Sequence, residues 1–329
     1  VRTFIAGLGI LCATSAVAGP AIALSSPDPL PQAVNGSDAF LQPNETTPRA
    51  ARAVWAKAPA GAYVTVGTDR GFIAAGLAPR VTDLVLVDLN PRAVVINRIN
   101  IALLRLARSR DEYLRWRTQP LGFDDWQVLF QKASVPPADR ELLGDHRAWV
   151  AWQWGIVRNP KLDRFHTDPR FVRPVRRDTP FLDANYLYYP AQFRRVQKLA
   201  RSGHISAHQL DLTRPDSVRE LVLALQQANI PISVLDLSNA WDHDAMTAAQ
   251  FADVLHAFEP VLRKGSRLLV TDLIYDPGRP DERWNYWSFP RSAWIGPQAD
   301  RLAETLRRLE RQGMSCAAVL RALRAAGQP

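Results

Sequence analysis

Residues Tyr63–Ala107 read YVTVGTDRGFIAAGLAPRVTDLVLVDLNPRAVVINRINIALLRLA, and this stretch decides the fold class. The apolar run Tyr63–Val66 ends in Gly67-Thr68-Asp69-Arg70-Gly71, after which the spacing predicts a short helix. A second apolar run, Leu84–Val87, ends in Asp88, and Leu89-Asn90-Pro91 opens a long amphipathic pattern. Strand, glycine turn, helix, strand, acid is how a nucleotide-binding α/β sheet begins. Backbone N–H groups at such a turn face a charged ligand, and an acid about 20 residues further on takes ribose hydroxyls. Only two glycines flank the turn, and neither G-x-G-x-x-G nor a lysine-bearing phosphate loop is present.

Working outward, Pro91 suits the first position of a helix. Val94, Val95, Ile99, Leu103 and Leu106 then recur at helical spacing, which predicts one helix to roughly Trp116. Upstream, Pro48–Lys57 is a helical stretch leading into the first strand. Downstream the alternation resumes with a helix over Ala191–Ser202 and a strand over His204–Leu210 that ends at Asp211. A helix over Pro215–Asn229 and a strand over Ile232–Leu237, ending in Ser238-Asn239, follow. Next come a helix over Ala245–Leu262 stopped by Lys264-Gly265, a strand over Arg267–Leu273, and a loop rich in Pro, Trp and Tyr. A helix over Gln298–Arg311 and a final short helix close the chain. Strands alternating with helices predict an α/β fold: a doubly wound, mostly parallel, Rossmann-like sheet covered on both faces. Between Thr118 and Pro180 the periodicity weakens and Trp126, Trp149, Trp152 and Trp154 crowd together, so a Trp-rich insertion of short helices is expected over one end of the sheet. The expected division is residues 1–23 leader, 24–47 linker, 48–117 first half of the sheet domain, 118–185 insertion, 186–276 second half, and 277–329 C-terminal loop and helices.

A chain of 329 residues buries a substantial core. Its net charge of +9, carried mainly by arginine, favours acidic partners. A membrane surface and a small-molecule or lipid acceptor are the expected partners. The one dense cluster, Arg170, Arg173, Arg176 and Arg177, lacks the interleaved aromatics of a single-strand binding platform, so no nucleic acid is expected. With only Cys12 and Cys316 there is no zinc spacing, and loss of the leader would leave one thiol and no internal disulfide.

The N-terminal residues read as a Sec signal peptide. Arg2 precedes an apolar stretch from Phe4 to Ala18, and Ala16-Val17-Ala18 and Ala21-Ile22-Ala23 are both small-x-small cleavage patterns. Export to the periplasm or medium, with cleavage after Ala18 or Ala23, is expected. The alternative is a cytoplasmic chain whose start site lies elsewhere.

The order of motifs resembles class I S-adenosylmethionine-dependent transferases. In that family a glycine loop follows the first strand, an acid after the second holds the ribose, an acid after the third lies near the adenine, and a polar residue after the fourth faces the reacting centre. The resemblance implies S-adenosylmethionine as cofactor, with Gly67, Gly71, Asp88, Asp211 and Asp236 around it and Asn239 at the reacting centre. VDLNPRAVVINRINIALLRLARSRDEYL and LSNAWDH look most like the aminocarboxypropyl transferases of betaine-lipid-synthase type, which implies transfer of a methyl or aminocarboxypropyl group. Thr65 stands where the family carries an acid two residues before the first glycine, and Asp69 is the candidate replacement near the cofactor ammonium.

Each candidate also has a plainer role. Asp88 is a ribose ligand or a helix N-cap. Gly67 permits close backbone approach or makes a tight turn. Asp211 is a ligand or the loop before a helix. Asn239 and Asp242 orient an acceptor or cap the following helix, and His243 beside Asp242 is a general base or an exposed loop histidine. His204 and His208 share a strand face without further metal ligands, and Ser238 has no nucleophile elbow. Two functions are therefore expected in competition: an S-adenosylmethionine-dependent transferase, or an exported non-catalytic protein that retains the fold.

Overall fold

The computed structural model describes residues 22–24, 27–28, 48–118, 123–142, 184–241, 246–274 and 283–311. A six-stranded sheet runs through the middle: β1 Gly61–Val66, β2 Val81–Asp88, β3 Ile205–Gln209, β4 Ile232–Ser238, β5 Leu262–Ile274 and β6 Arg283–Pro290. Its order is β3-β2-β1-β4-β5-β6; the first five strands are parallel, and β6 is antiparallel to β5. Chain direction across the sheet reverses between β1 and β4, because β2 and β3 extend to one side of β1 while β4 and β5 extend to the other.

Side chains alternate across each strand, so the central strands β1, β2, β4 and β5 feed two cores. Tyr63, Leu84, Leu86, Val234 and Leu269 enter one core. There they meet the helices α1 Arg52–Lys57, α2 Asp69–Leu77, α3 Pro91–Leu106, α4 Arg110–Thr118 and α5 Phe123–Lys132. The helix α6 is Pro137–Leu142, and α7 Pro190–Arg201 joins the same core through Phe193 and Val196. Ala62, Val64, Val85, Val87, Leu235 and Val270 enter the other, against α8 Pro215–Gln227, α9 Ala248–Phe258 and α10 Pro297–Arg311. Burying each large apolar side chain is worth about 1.5–3 kcal/mol, and strands covered on both faces read as continuous apolar runs.

Three elements differ from the sequence reading. The single helix expected from Pro91 to Trp116 is two, because Ala107 adopts extended angles and Ser109 restarts the chain: the Glu112 N–H donates to Ser109 Oγ at 3.1 Å, and the Arg108 N–H donates to Glu112 at 2.7 Å. The helix expected to Leu262 stops at Phe258, where Pro260 lies in a 3₁₀ turn over Glu259–Val261. The Pro-, Trp- and Tyr-rich loop contains β6, whose Trp287 and Phe289 face the second core while Tyr286 packs against the first. Of the expected Trp-rich insertion, Trp126 is buried and stacks on Phe130 at 5.2 Å within α5. Trp149, Trp152 and Trp154 lie outside the described residues, as does the cluster Arg170 to Arg177.

The end of the expected leader and the start of the expected linker contribute to the fold. Ile22 is buried in the second core, with Leu24 packed against it. The Asp28 carboxylate accepts the Asp211 N–H at 2.7 Å and the Ser217 hydroxyl at 2.5 Å, and its backbone pairs with Gln209 beside the edge strand β3. Covered edges are protected from pairing with other chains.

Candidate functional site

In a sheet of this kind ligands bind beyond the carboxyl ends of the strands, where the strand order reverses. That edge carries Gly67 after β1, Asp88 at the end of β2, Asp211 after β3, and Ser238-Asn239 at the end of β4. Gly67 has φ +94°, a conformation that favours glycine, and a Cβ there would meet open space. Its carbonyl accepts from Asn97 Nδ2 of α3 at 2.9 Å, and its N–H donates to the Val87 carbonyl at 3.2 Å. The turn is therefore pinned from below and open above. Ser238 also has a positive φ, +53°, where the register against β5 shifts. Such a backbone in a non-glycine residue is uncommon and clusters at sites. It is held by the Ser238 N–H donating to Asp236 at 3.0 Å.

Gly71 serves packing. It sits in the first turn of α2, and a Cβ would lie 2.5 Å from Leu86 Cδ2 and 2.8 Å from Thr65 Cγ2. It lets the helix approach the sheet rather than letting a ligand approach the backbone.

The acids at this edge divide sharply. Asp69 is buried, and Arg117 of α4 clamps it with both guanidinium nitrogens at 3.3 and 3.0 Å. Tyr186 adds a hydroxyl at 3.4 Å, and Arg117 is also tied to Asn100 and Tyr113 at 2.8 and 2.9 Å. Asp236 is fully buried between Arg70 and Tyr63, which both donate to it, and Trp55 Nε1 donates to Tyr63 at 2.9 Å. Burial, with the Asp236 charge second, pushes the Tyr63 hydroxyl well above its ordinary value, so Tyr63 is the donor in that contact. Asp211 is buried and accepts the Thr213 N–H and hydroxyl at 2.8 and 2.7 Å, the role of a turn residue before α8.

Asp88 is different. Asn90 is the N-cap of α3, taking the Arg92 N–H at 2.9 Å, so the capping role is filled. The half-buried Asp88 carboxyl accepts the Asn90 N–H at 2.8 Å. Among the described residues no cation pairs with it. Burial pushes its pKa up from 3.8 to about 6, against the opposing pull of the Asn90 and Gly67 N–H groups.

Asn239 is half-buried at the same edge and accepts from the Ser238 hydroxyl at 3.2 Å. Trp241 anchors its segment, donating from Nε1 to the Thr271 carbonyl at 3.0 Å and packing on Phe251. Asp242 and His243 lie outside the described residues. The helix that Asn239 and Asp242 would cap in their plainer role has its own capping box, Thr247 with Gln250. The strand-edge histidines are apart in role: His204 contacts Asp83 at 2.8 Å, while burial pushes the His208 pKa down to about 4. Among the described residues no group of acids, histidines and cysteines is arranged to hold a metal ion.

The sequence reading brought Gly67, Asp88, Asp211, Asp236 and Asn239 to one edge; the structure places four of them there, while Asp236 is fully buried within β4. It did not find Arg70, Arg117, Tyr63 or Asn97, whose buried hydrogen bonds organise the ground beneath. A signal was present for Arg117, which stands one helical turn from Tyr113, but its acidic partner is 48 residues away.

A family model described as Domain of unknown function (DUF7790) matches residues 40–260, which is 221 of 329 residues. The chain belongs to the DUF7790 family. No curated protein matches it. The DUF7790 match takes in the Gly67 turn, Asp88, Asp211, Asn239 and both buried ion pairs, and it ends between α9 and β5.

Proposed function

We propose that this DUF7790 chain is a Rossmann-like protein that binds a nucleoside cofactor of the S-adenosylmethionine type at the carboxyl edge of its sheet and transfers a methyl or aminocarboxypropyl group. The observation that carries the reading is Asp88: a half-buried carboxylate with no cationic partner among the described residues, kept at a strand end although burial penalises its charge. A capping role does not account for it, because Asn90 caps the helix.

The residues fit the nucleoside part of such a cofactor. Asp88 would hold the ribose hydroxyls, and the open Gly67 turn would lie against the ligand. The loop following Asp211 would lie near the base, and Asn239 would orient the acceptor. A bound sulfonium supplies an adjacent electrophilic carbon, so the protein's task is to align a nucleophile and exclude water. Asp242 and His243 remain proposed to assist at the acceptor side, His243 as a base.

One observation favours the second reading, an exported, non-catalytic protein that keeps this fold. Asp69, the candidate for an ammonium contact, is held by Arg117, and Asp236 is held by Arg70 and Tyr63. Thr65, in place of the family acid, is fully buried.

Calorimetric titration of the full chain with S-adenosylmethionine and S-adenosylhomocysteine tests the proposal. Saturable binding that falls at least tenfold in Asp88→Ala, about the loss of one hydrogen bond to a charged group, supports it. A folded chain that takes up neither ligand refutes it and leaves the non-catalytic reading.

A further inference from the structure

The edge of the sheet opposite the candidate site is strongly cationic. In a parallel sheet the returning helices end at the amino edge, where their last carbonyls lack helical partners. Four arginines fill those positions. Arg80 donates to the Lys57 carbonyl at 2.8 Å and Arg195 to Pro79 at 2.7 Å. Arg105 donates to Ala200 at 2.8 Å and Arg201 to Ala107 at 2.6 Å. These contacts link the ends of α1, α2, α3 and α7 into one continuous border.

Capping accounts for where the guanidinium groups sit, but a carbonyl does not neutralise a cation. None of the four arginines has a carboxylate partner among the described residues. Lys57, Lys198 and Lys264 on the same border are exposed, and their side chains make no hydrogen bond among the described residues. A Cβ on Gly265, beside Lys264, would come within 3.8 Å of Pro59, which places the third lysine near the end of α1. The nearby carboxylates are fewer: Glu112 pairs with Arg108 and Asp111 with Arg110, which leaves Asp83, in contact with His204, and Glu259, which accepts the Gly296 N–H, against seven cations. The border therefore keeps its positive charge.

We propose that this amino-terminal edge docks on the anionic headgroups of a phospholipid bilayer. The cations come from separate segments spread along a whole border, the arrangement that suits a field of phosphates. Among the described residues the exposed large apolar side chains are Val128, Leu142, Tyr189 and Leu223, and none lies at those helix ends, so the described border offers no stacking platform for nucleic acid bases. Juxtaposed basic residues are drawn to anionic leaflets with an energy that adds charge by charge and decays within a Debye length. Docked this way, the carboxyl edge with Gly67, Asp88 and Asn239 points away from the bilayer, so an acceptor reaches the site from the aqueous side. The inference stands whether or not the site binds a nucleoside.

Co-sedimentation of the full chain with vesicles of phosphatidylcholine alone, or mixed equally with phosphatidylglycerol, tests it. Binding is expected to the mixed vesicles only, with release as salt shortens the Debye length from about 8 Å toward about 3 Å. The variant Lys57→Glu, Lys198→Glu, Lys264→Glu leaves every capping arginine in place, and it is expected to bind at least about tenfold more weakly with an unchanged melting temperature. Should the triple variant itself unfold, acetylating the exposed lysines of the folded wild-type chain provides the same comparison. No binding to mixed vesicles, equal binding to phosphatidylcholine, unchanged binding after the lysine charges are removed, or firmer retention by a short DNA duplex overturns the proposal.

Discussion

Replacing Asp88 with asparagine should make the protein more stable at neutral pH while weakening its nucleoside site. The carboxyl is raised from 3.8 to about 6 by burial in the folded chain. Between those values the folded state holds a proton that the unfolded state has released, so stability falls as pH rises through the window and levels off above it. At about 1.36 kcal/mol per factor of ten, the ionised carboxylate costs about 3 kcal/mol at pH 7.5. Asparagine keeps an oxygen for the Asn90 N–H and carries no charge, so the variant should recover about 2–3 kcal/mol there and nothing near pH 4. Urea unfolding of both proteins at several pH values reads the difference directly, and the subtraction removes the opposite slope that His208, with its pKa lowered to about 4, contributes to both. A gap that does not change with pH, or a variant less stable than the parent at pH 7.5, refutes the account of Asp88. Greater stability joined to weaker nucleoside binding would mark a residue kept for a ligand.

Three further outcomes follow from the buried contacts. Asp236→Asn breaks the buried ion pair with Arg70 and should cost about 3–5 kcal/mol in chemical denaturation; a loss under about 1 kcal/mol would show the pair is not organising the core. Gly71→Ala forces a methyl against Leu86 and Thr65 and should cost about 1–3 kcal/mol, lowering the melting temperature, whereas an unchanged melting temperature would show that α2 can lift off the sheet. If the leader is removed during export, intact mass should show a chain beginning at Gly19. Ile22 is buried in the second core, so a chain beginning at Leu24 would lose that contact, at about 2–5 kcal/mol by comparison with large-to-small core substitutions. Recovery of a Leu24 start at full stability would show that contact to be dispensable.

The strand–turn–helix–strand order was legible in the sequence because it is local. Continuous apolar runs of strand length, a glycine turn, Asn90-Pro91 at a helix start and 3.6-residue spacing are properties of neighbouring residues, and they placed β1 through β5 and their helices. The same local signals placed Gly67, Asp88, Asp211 and Asn239 at strand ends, and in a parallel sheet all carboxyl ends share one edge. The break at Ala107 was also local, carried by Ser109 and Glu112, but the apolar spacing ran across it. β6 was hidden because its alternation of aromatic and polar residues, Trp284-Asn285-Tyr286 and Trp287-Ser288-Phe289, slips by one position between Tyr286 and Trp287.

Only the tertiary structure decided what each acid does. Asp69, Asp88, Asp211 and Asp236 look alike along the chain, and their partners are separated from them by as few as two residues or as many as 173. Arg117 reaches Asp69 only because α4 packs beside α2's first turn, and Arg70 reaches Asp236 only because β4 lies next to β1. Burial then makes each pairing costly to break, which fixes those two acids in the interior. Asp88, like Asp211, pairs with no cation among the described residues, and that is a consequence of packing at a distance, to which sequence spacing is blind.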